Sequence, residues 1–176
     1  MMTKFALFDY DGTLIDSISC TSFKEGETFD WVNFMERSRE CCTIQPTLDL
    51  MKKLQNEGFI CVICTARPEV FEDITIWDLT ARKLGEDMVV MRDDALYHAE
   101  LEALAGVTEE ADIKRIAHEH HAIYRQVVVN DLEDMYGKGC IKYAVDDQTR
   151  NLDTFLDYGI ECTLVTDGKL TSYTGE

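Results

Sequence analysis

Lys4-Phe5-Ala6-Leu7-Phe8-Asp9-Tyr10-Asp11-Gly12-Thr13-Leu14 is the stretch on which the fold turns. The apolar run from Lys4 to Phe8 reads as a short buried strand. It stops at a carboxylate, and Asp11-Gly12 then turns the chain. The same pattern recurs downstream: Phe59 to Cys64, Met88 to Met91, Ile141 to Val145 and residues 160–165 all read as strands. Segments of helical period lie between them. Pro46 opens a helix that Gly58 closes, with Leu48, Met51 and Leu54 as its buried stripe. A helix is expected over Glu69 to Leu84, with Val70, Ile74, Trp77, Ala81 and Leu84 facing inward and Gly85 as the left-handed residue at its end. Near Asp30 to Arg37, Trp31, Phe34 and Met35 share a helical face. Thr108 is placed to cap another helix, with Glu109 and Glu110 in its first turn. A last helix is expected over 148–158. Residues 92–108 read as a loop, and 122–140 offers only a candidate strand at Gln126 to Val129. Alternation of apolar strands and amphipathic helices predicts an α/β fold around a mostly parallel sheet with flanking helices. We read residues 1–176 as one domain, with residues 17–45 as a small cap.

Composition narrows the function. The 176 residues carry 34 Asp plus Glu against 17 Lys plus Arg, for a formal net charge of −17. Extended binding along a nucleic-acid backbone is not expected, because that task uses basic stripes. An anionic membrane surface is disfavoured for the same reason. The longest apolar run has six residues, far too few to span a bilayer, and the N-terminus lacks a signal-peptide core. A cytoplasmic location is expected, or synthesis inside a host cell. Seven cysteines, an odd number, read as reduced thiols. Cys61 and Cys64 are three apart on a strand and so face opposite sides, which argues against a redox pair. Oligomeric state is open at this stage.

In parallel sheets, ligands bind beyond the carboxyl ends of the strands. Three strands end in polar groups: Asp9 with Asp11, Thr65 with Arg67, and Asp146 with Asp147. Four carboxylates converging on one edge repel one another unless a hard divalent cation neutralises them. Oxygen-only ligands suit Mg²⁺, which commonly also binds phosphate oxygens. A phosphate ester is therefore the natural substrate. One carboxylate can attack phosphorus, and the second can exchange protons with the leaving oxygen and with water. Thr65 can hydrogen-bond a phosphoryl oxygen. Lys114, in the first turns of a helix beside the sheet, is the candidate cation for the developing charge. Thr13, Ala66, Arg67 and Arg92 are candidate substrate contacts. For Arg92 an ion pair with Asp93 or Asp94 is an equal reading. His118, His120 and His121 lack a Cys or acid at ligand spacing and read as one partly buried histidine with a surface pair. The EF-hand register fails at Leu7, and neither a Walker loop nor a G-x-S-x-G elbow occurs.

These motifs carry a resemblance. Phe8-Asp9-Tyr10-Asp11-Gly12-Thr13-Leu14 resembles motif I of the haloacid dehalogenase (HAD) superfamily of phosphohydrolases. Thr65 and Asp146-Asp147 resemble its motifs II and IV. Within the superfamily, Thr65-Ala66-Arg67-Pro68-Glu69, Val90-Met91-Arg92, Glu110 to Lys114 and Asp30-Trp31-Val32-Asn33-Phe34 are similar to segments of the phosphatase domain of phage polynucleotide kinase–phosphatases and their stand-alone relatives. Glu110 and Gln148 stand where that branch has Asp and Arg. The resemblance implies a Rossmann-like core with a minimal cap. It implies Asp9 as nucleophile and Asp11 as general acid/base. Mg²⁺ would be held by Asp9, the Asp11 carbonyl and Asp147 directly, with Asp146 placed through water or a hydrogen bond. Thr65, Arg67 and Lys114 would hold the phosphate. The implied substrate is a nucleic-acid 3′-phosphate end or a nucleotide. A small-metabolite phosphatase and a receiver-like phospho-aspartate domain are the alternatives. The order of the acidic motifs argues against the receiver.

Overall fold

The computed structural model describes residues 3–17 and 31–175. Six strands form one sheet: β1 (Phe5–Phe8), β2 (Ile60–Pro68), β3 (Met88–Arg92), β4 (Ile141–Asp146), β5 (Glu161–Thr166) and β6 (Lys169–Tyr173). Their order is β3-β2-β1-β4-β5-β6. The first five run parallel, and β6 pairs antiparallel with β5 at the edge. The helices are α1 (Trp31–Ser38), α2 (Gln45–Asn56), α3 (Glu72–Arg82), α4 (Asp94–Leu104), α5 (Glu110–Tyr136) and α6 (Thr149–Leu156). The architecture is a Rossmann-like α/β fold, as the strand and helix alternation predicts.

Alternation along β1 divides the core. Phe5 and Leu7 face one layer with Val62, Cys64 and Ala144, packed on α5 and α6 through Tyr124, Val128, Val129, Leu132, Leu152 and Phe155. Ala6 and Phe8 face the other with Cys61 and Ile63, packed on α2 and α3 through Leu48, Met51, Leu54 and Leu79. Both sheet faces are covered, which is why the central strands read as continuous apolar runs. Cys61 and Cys64 lie in opposite layers, as expected. Among the other described cysteines, Cys42, Cys140 and Cys162 are free thiols, but Cys41 is disulfide-bonded and departs from the all-reduced reading. Leu152 is wholly buried in the α6 layer. Leu152→Ala is expected to cost about 2–5 kcal/mol of unfolding free energy, measured by urea denaturation.

Four local readings change. Residues 122–140 are not a strand region: α5 runs through them to Tyr136. The β-branched run Val127 to Val129 is helical because Val128 and Val129 pack on the sheet from a helix face. Residues 92–108 contain α4, whose N-cap Asp93 accepts a hydrogen bond from the Ala95 amide at 2.5 Å. The expected Thr108 cap is replaced by Glu109, which makes no side-chain capping bond. The 69–84 helix begins as a 3-10 turn, Glu69–Phe71, and α3 turns a different face inward. Val70 and Trp77 are 61% and 56% exposed, while Thr75, Asp78 and Leu79 are buried. The reason is polar: Asp78 accepts from the Tyr10 hydroxyl at 2.8 Å and from Arg82 Nε at 2.8 Å. Lys83, not Gly85, takes the left-handed position that ends α3.

Strand β6 is an addition. Asp167 and Gly168 both have positive φ, the two-residue turn that matches hairpin twist, and Thr166 pairs with Lys169 across it. Residues 18–30 of the expected cap lie outside the described residues. The described part, α1, is tied down by Arg82, which donates to the carbonyls of Ser38 and Cys41 at 2.6 and 2.8 Å.

Candidate active site

Register places the acids. Phe8 pairs with Val145 on one side and Ile63 on the other, so β1 ends level with the end of β4, while β2 runs on to Pro68. The Asp9 amide donates to the Val145 carbonyl at 2.9 Å. Asp9 and the Asp146-Asp147 pair therefore emerge side by side where the sheet's connections diverge, the position at which doubly wound folds bind ligands. Carboxylate oxygens of Asp9, Asp146 and Asp147 lie within 4.8 Å of one another.

The cluster is held from below by buried polar contacts. Arg125 of α5 donates to Asp9 Oδ1 at 2.6 Å, to Asp146 Oδ2 at 3.3 Å and to the Cys64 carbonyl at 2.6 Å. Asn151 Nδ2 and the Gln148 amide donate to Asp146 at 3.0 and 2.9 Å. Gln148 Nε2 donates to Asp147 at 2.7 Å. The Thr13 hydroxyl donates to Asp9 Oδ2 at 3.3 Å. Burial, then the Asp146 charge, pushes the Asp9 carboxyl well up despite Arg125. Burial raises Asp146 as well, with Arg125 opposing. Asp147 is pushed up to about 7 by burial and by Asp9. Three acids facing one buried cation carry more negative charge than the site neutralises. An all-oxygen donor set with this excess fits a hard divalent ion, so Asp9, Asp146 and Asp147 could hold a metal.

Asp11 stands apart from that triad. Its two oxygens accept from Arg67 Nε and a terminal nitrogen, both at 2.8 Å. Such a bidentate fork fixes both partners' orientation. Arg67 is wholly buried and also donates to Ser38 Oγ of α1 at 3.0 Å. Its guanidinium lies 4.6 Å from the Tyr10 ring centre, a cation–π distance. Thr65 is buried at the same edge, and its hydroxyl accepts from the Arg67 amide at 3.3 Å. Ala66 lies between them, half-buried. Thus Thr13, Thr65, Ala66 and Arg67 all sit at the carboxyl edge beside the acids.

Two sequence-selected cations lie elsewhere than expected. Lys114 is 62% exposed and pairs with Glu110 one turn back. Eleven residues separate it from Arg125, about 16 Å along the helix axis, too far for its side chain to reach Asp9. The cation that meets Asp9 is Arg125, buried behind the carboxylates. Sequence alone gives no signal for Arg125, because α5 was not legible there. Arg92 pairs with neither Asp93 nor Asp94. It is buried against Glu100 of α4, with Trp31 and Tyr97 rings 5.7 and 5.2 Å from its guanidinium. Asp93 instead caps α4, and Asp94 accepts from the Val70 amide at 2.8 Å. His121 is held neutral, pushed down to about 3 by burial and then by Arg92 and Arg125.

Fold and edge together define an α/β protein with a buried acidic centre at the carboxyl ends of a parallel sheet. Solved structures share this fold. A structure of the Pnkp1/Rnl/Hen1 RNA repair complex matches with a TM-score of 0.59 at 17% identity, over 93% of this chain and 42% of the matched one. A structure of the Pnkp1/Rnl/Hen1 complex matches with a TM-score of 0.57 at 14% identity, over 93% and 46%. The chain thus spans less than half the length of these matched chains, and at such identities the likeness is one of fold. No protein-family model and no curated protein matches the chain. No helix among the described residues is long and apolar enough to cross a membrane.

Proposed function

We propose that the chain is a Mg²⁺-dependent phosphomonoesterase of the HAD type, acting on a nucleic-acid 3′-phosphate end or a nucleotide. The observation that carries this reading is the Asp9, Asp146 and Asp147 triad at the sheet's switch point, with Asp11 two residues beyond Asp9. The motif order of the sequence supports it, as does the fold shared with a protein of an RNA repair complex.

Asp9 is the nucleophile. Its oxygen bonds to phosphorus as the bond from phosphorus to the leaving oxygen breaks, giving an aspartyl-phosphate. Asp11, oriented by Arg67, gives a proton to the leaving oxygen. It then takes one from the water that attacks the acyl phosphate, restoring Asp9 and releasing phosphate. Thr65 and Arg67 orient phosphoryl oxygens. Arg125 holds Asp9 in position from behind. Asp9, Asp146 and Asp147 would hold Mg²⁺, which when bound neutralises charge on the phosphoryl oxygens.

The test is phosphate release from an aryl phosphate, 3′- and 5′-nucleotides and a 3′-phosphorylated oligonucleotide, with Mg²⁺ or chelator. Cation-dependent turnover of at least one substrate is expected. Turnover of none, or turnover indifferent to chelator, overturns the proposal. Turnover of mononucleotides without the oligonucleotide removes the end-processing version only.

The titration of the cluster sets a pH dependence. The Asp147 carboxyl sits at about 7 when folded against 3.8 ordinarily. Between those values the folded form binds more protons than the unfolded, so this group lowers stability as pH rises through that window. A bound cation displaces those protons. Its affinity is therefore expected to weaken as pH falls from about 8 to about 6, read as a shrinking Mg²⁺-induced rise in melting temperature. An equal rise at both pH values contradicts the assignment of Asp147 as a ligand.

A further inference from the structure

Helix α5 is about 40 Å long at 1.5 Å per residue, yet its buried residues are confined to Tyr124–Leu132. Arg125 touches Asp9 at the carboxyl edge, and the Leu132 carbonyl accepts from the Cys140 thiol near the opposite edge. The helix therefore runs down the sheet, and residues 110–122 rise beyond the strand ends. Between that part of the helix and Arg150, in the first turn of α6, lies an open cleft of about 510 Å³. Lys114, Arg115, His118 and Arg150 bring cationic or donor groups to its lining, beside the Glu119 carboxylate.

Arg150 is the telling residue. The buried arginines Arg67, Arg92 and Arg125 each face a carboxylate. Among the described residues, the half-buried Arg150 guanidinium contacts His118 Nδ1 and Gln148 Oε1, the latter at 3.1 Å. An arginine has donors alone, and neither of these contacts brings it a carboxylate. It also sits in the first turn of α6, where the helix dipole disfavours a cation and favours an anion. Gln148 links it directly to the site, donating through its amide nitrogen to Asp147 at 2.7 Å. Lys114 and Arg115 pair with Glu110, Asp112 and Glu119 only at the exposed surface, where such pairs are weak and exchange readily.

We infer that this cleft is a second anion subsite, which holds an internal backbone phosphate of a single-stranded nucleic-acid substrate whose terminal phosphate lies at Asp9. The inference rests on the phosphatase reading above and deepens it from phosphomonoester to polynucleotide end. His118 is seven residues before Arg125, about 10 Å along the helix. The subsite is local, which agrees with a chain too acidic to track a long polyanion.

Two measurements test it. In kinetics, Arg150→Gln is expected to lower, about tenfold, the ratio of kcat/KM on a 3′-phosphorylated oligonucleotide to that on a 3′-mononucleotide. The loss should fall mainly in KM. The double variant Lys114→Gln, Arg115→Gln is expected to lower the ratio further. In binding, fluorescence anisotropy of the same labelled oligonucleotide should weaken with Arg150→Gln, and the slope of log K against log salt should drop by about one. A ratio and a salt slope that do not change overturn the subsite even if hydrolysis is intact. Absence of hydrolysis by the unaltered protein, with the binding loss still seen, overturns the phosphatase reading and leaves the subsite standing.

Discussion

Asp9→Asn is expected to yield a folded protein whose phosphate release has fallen by about 10⁴-fold or more in kcat, the scale seen when a covalent nucleophile is removed. The substitution keeps shape. The remaining amide oxygen can accept from Arg125, as Asp9 Oδ1 does now at 2.6 Å. It removes one of three carboxylates whose mutual repulsion and burial drive the Asp9 carboxyl upward. Without added cation, the melting temperature should therefore hold or rise. With Mg²⁺ the rise should be smaller than in the unaltered protein, because one ligand charge is lost. The pair of readouts separates chemistry from folding. Asn at position 9 with full turnover would remove Asp9 as nucleophile. Collapse of the fold would show that the carboxylate is structural.

Arg125→Met is the second large effect, and it acts through stability. Arg125 is buried and bonded to Asp9, to Asp146 and to the Cys64 carbonyl. Taking away one partner of a buried ion pair leaves uncompensated charge in a poorly solvating interior, at a cost of about 3–5 kcal/mol. For a chain of this size that is a fall of roughly 6–20 °C in melting temperature. On the proposed function, Mg²⁺ would supply positive charge to the same carboxylates, so the variant should gain more from added Mg²⁺ than the unaltered protein does. Arg125→Lys keeps the charge but offers one nitrogen for three acceptors spread over β1, β2 and β4, and should fall between the two. A variant Arg125→Met as stable as the original would remove the buried cation from its place under the cluster.

The acids were legible because their signal is local. A strand period ending in D-x-D, and another ending in Asp146-Asp147, needs only the parallel-sheet rule to bring the two ends together. The register of β1 with β4 then does so. Thr65 and Arg67 followed from the same rule on β2. The hairpin that makes β6 was missed, although its signal is equally local: Asp167-Gly168 turns the chain between two extended runs.

What the sequence determined by itself is thus the layered α/β fold and the row of side chains at the strand ends, because periods of 2 and 3.6 and turn chemistry are properties of neighbouring residues. Only the tertiary structure decided which cation serves the acids and which face of α3 is inside. Lys114 and Arg125 lie on one helix, and their difference is a rise of about 16 Å that matters only once α5 is set against the sheet. Asp78 turns its face of α3 inward by its bonds to Tyr10 and Arg82, leaving Val70 and Trp77 of the expected apolar stripe exposed while Leu84 is buried. In both cases a buried charge meets a partner far along the sequence, Arg125 across 61 and 116 positions and Asp78 across 68. Long-range electrostatics of that kind has no periodicity for a sequence to display.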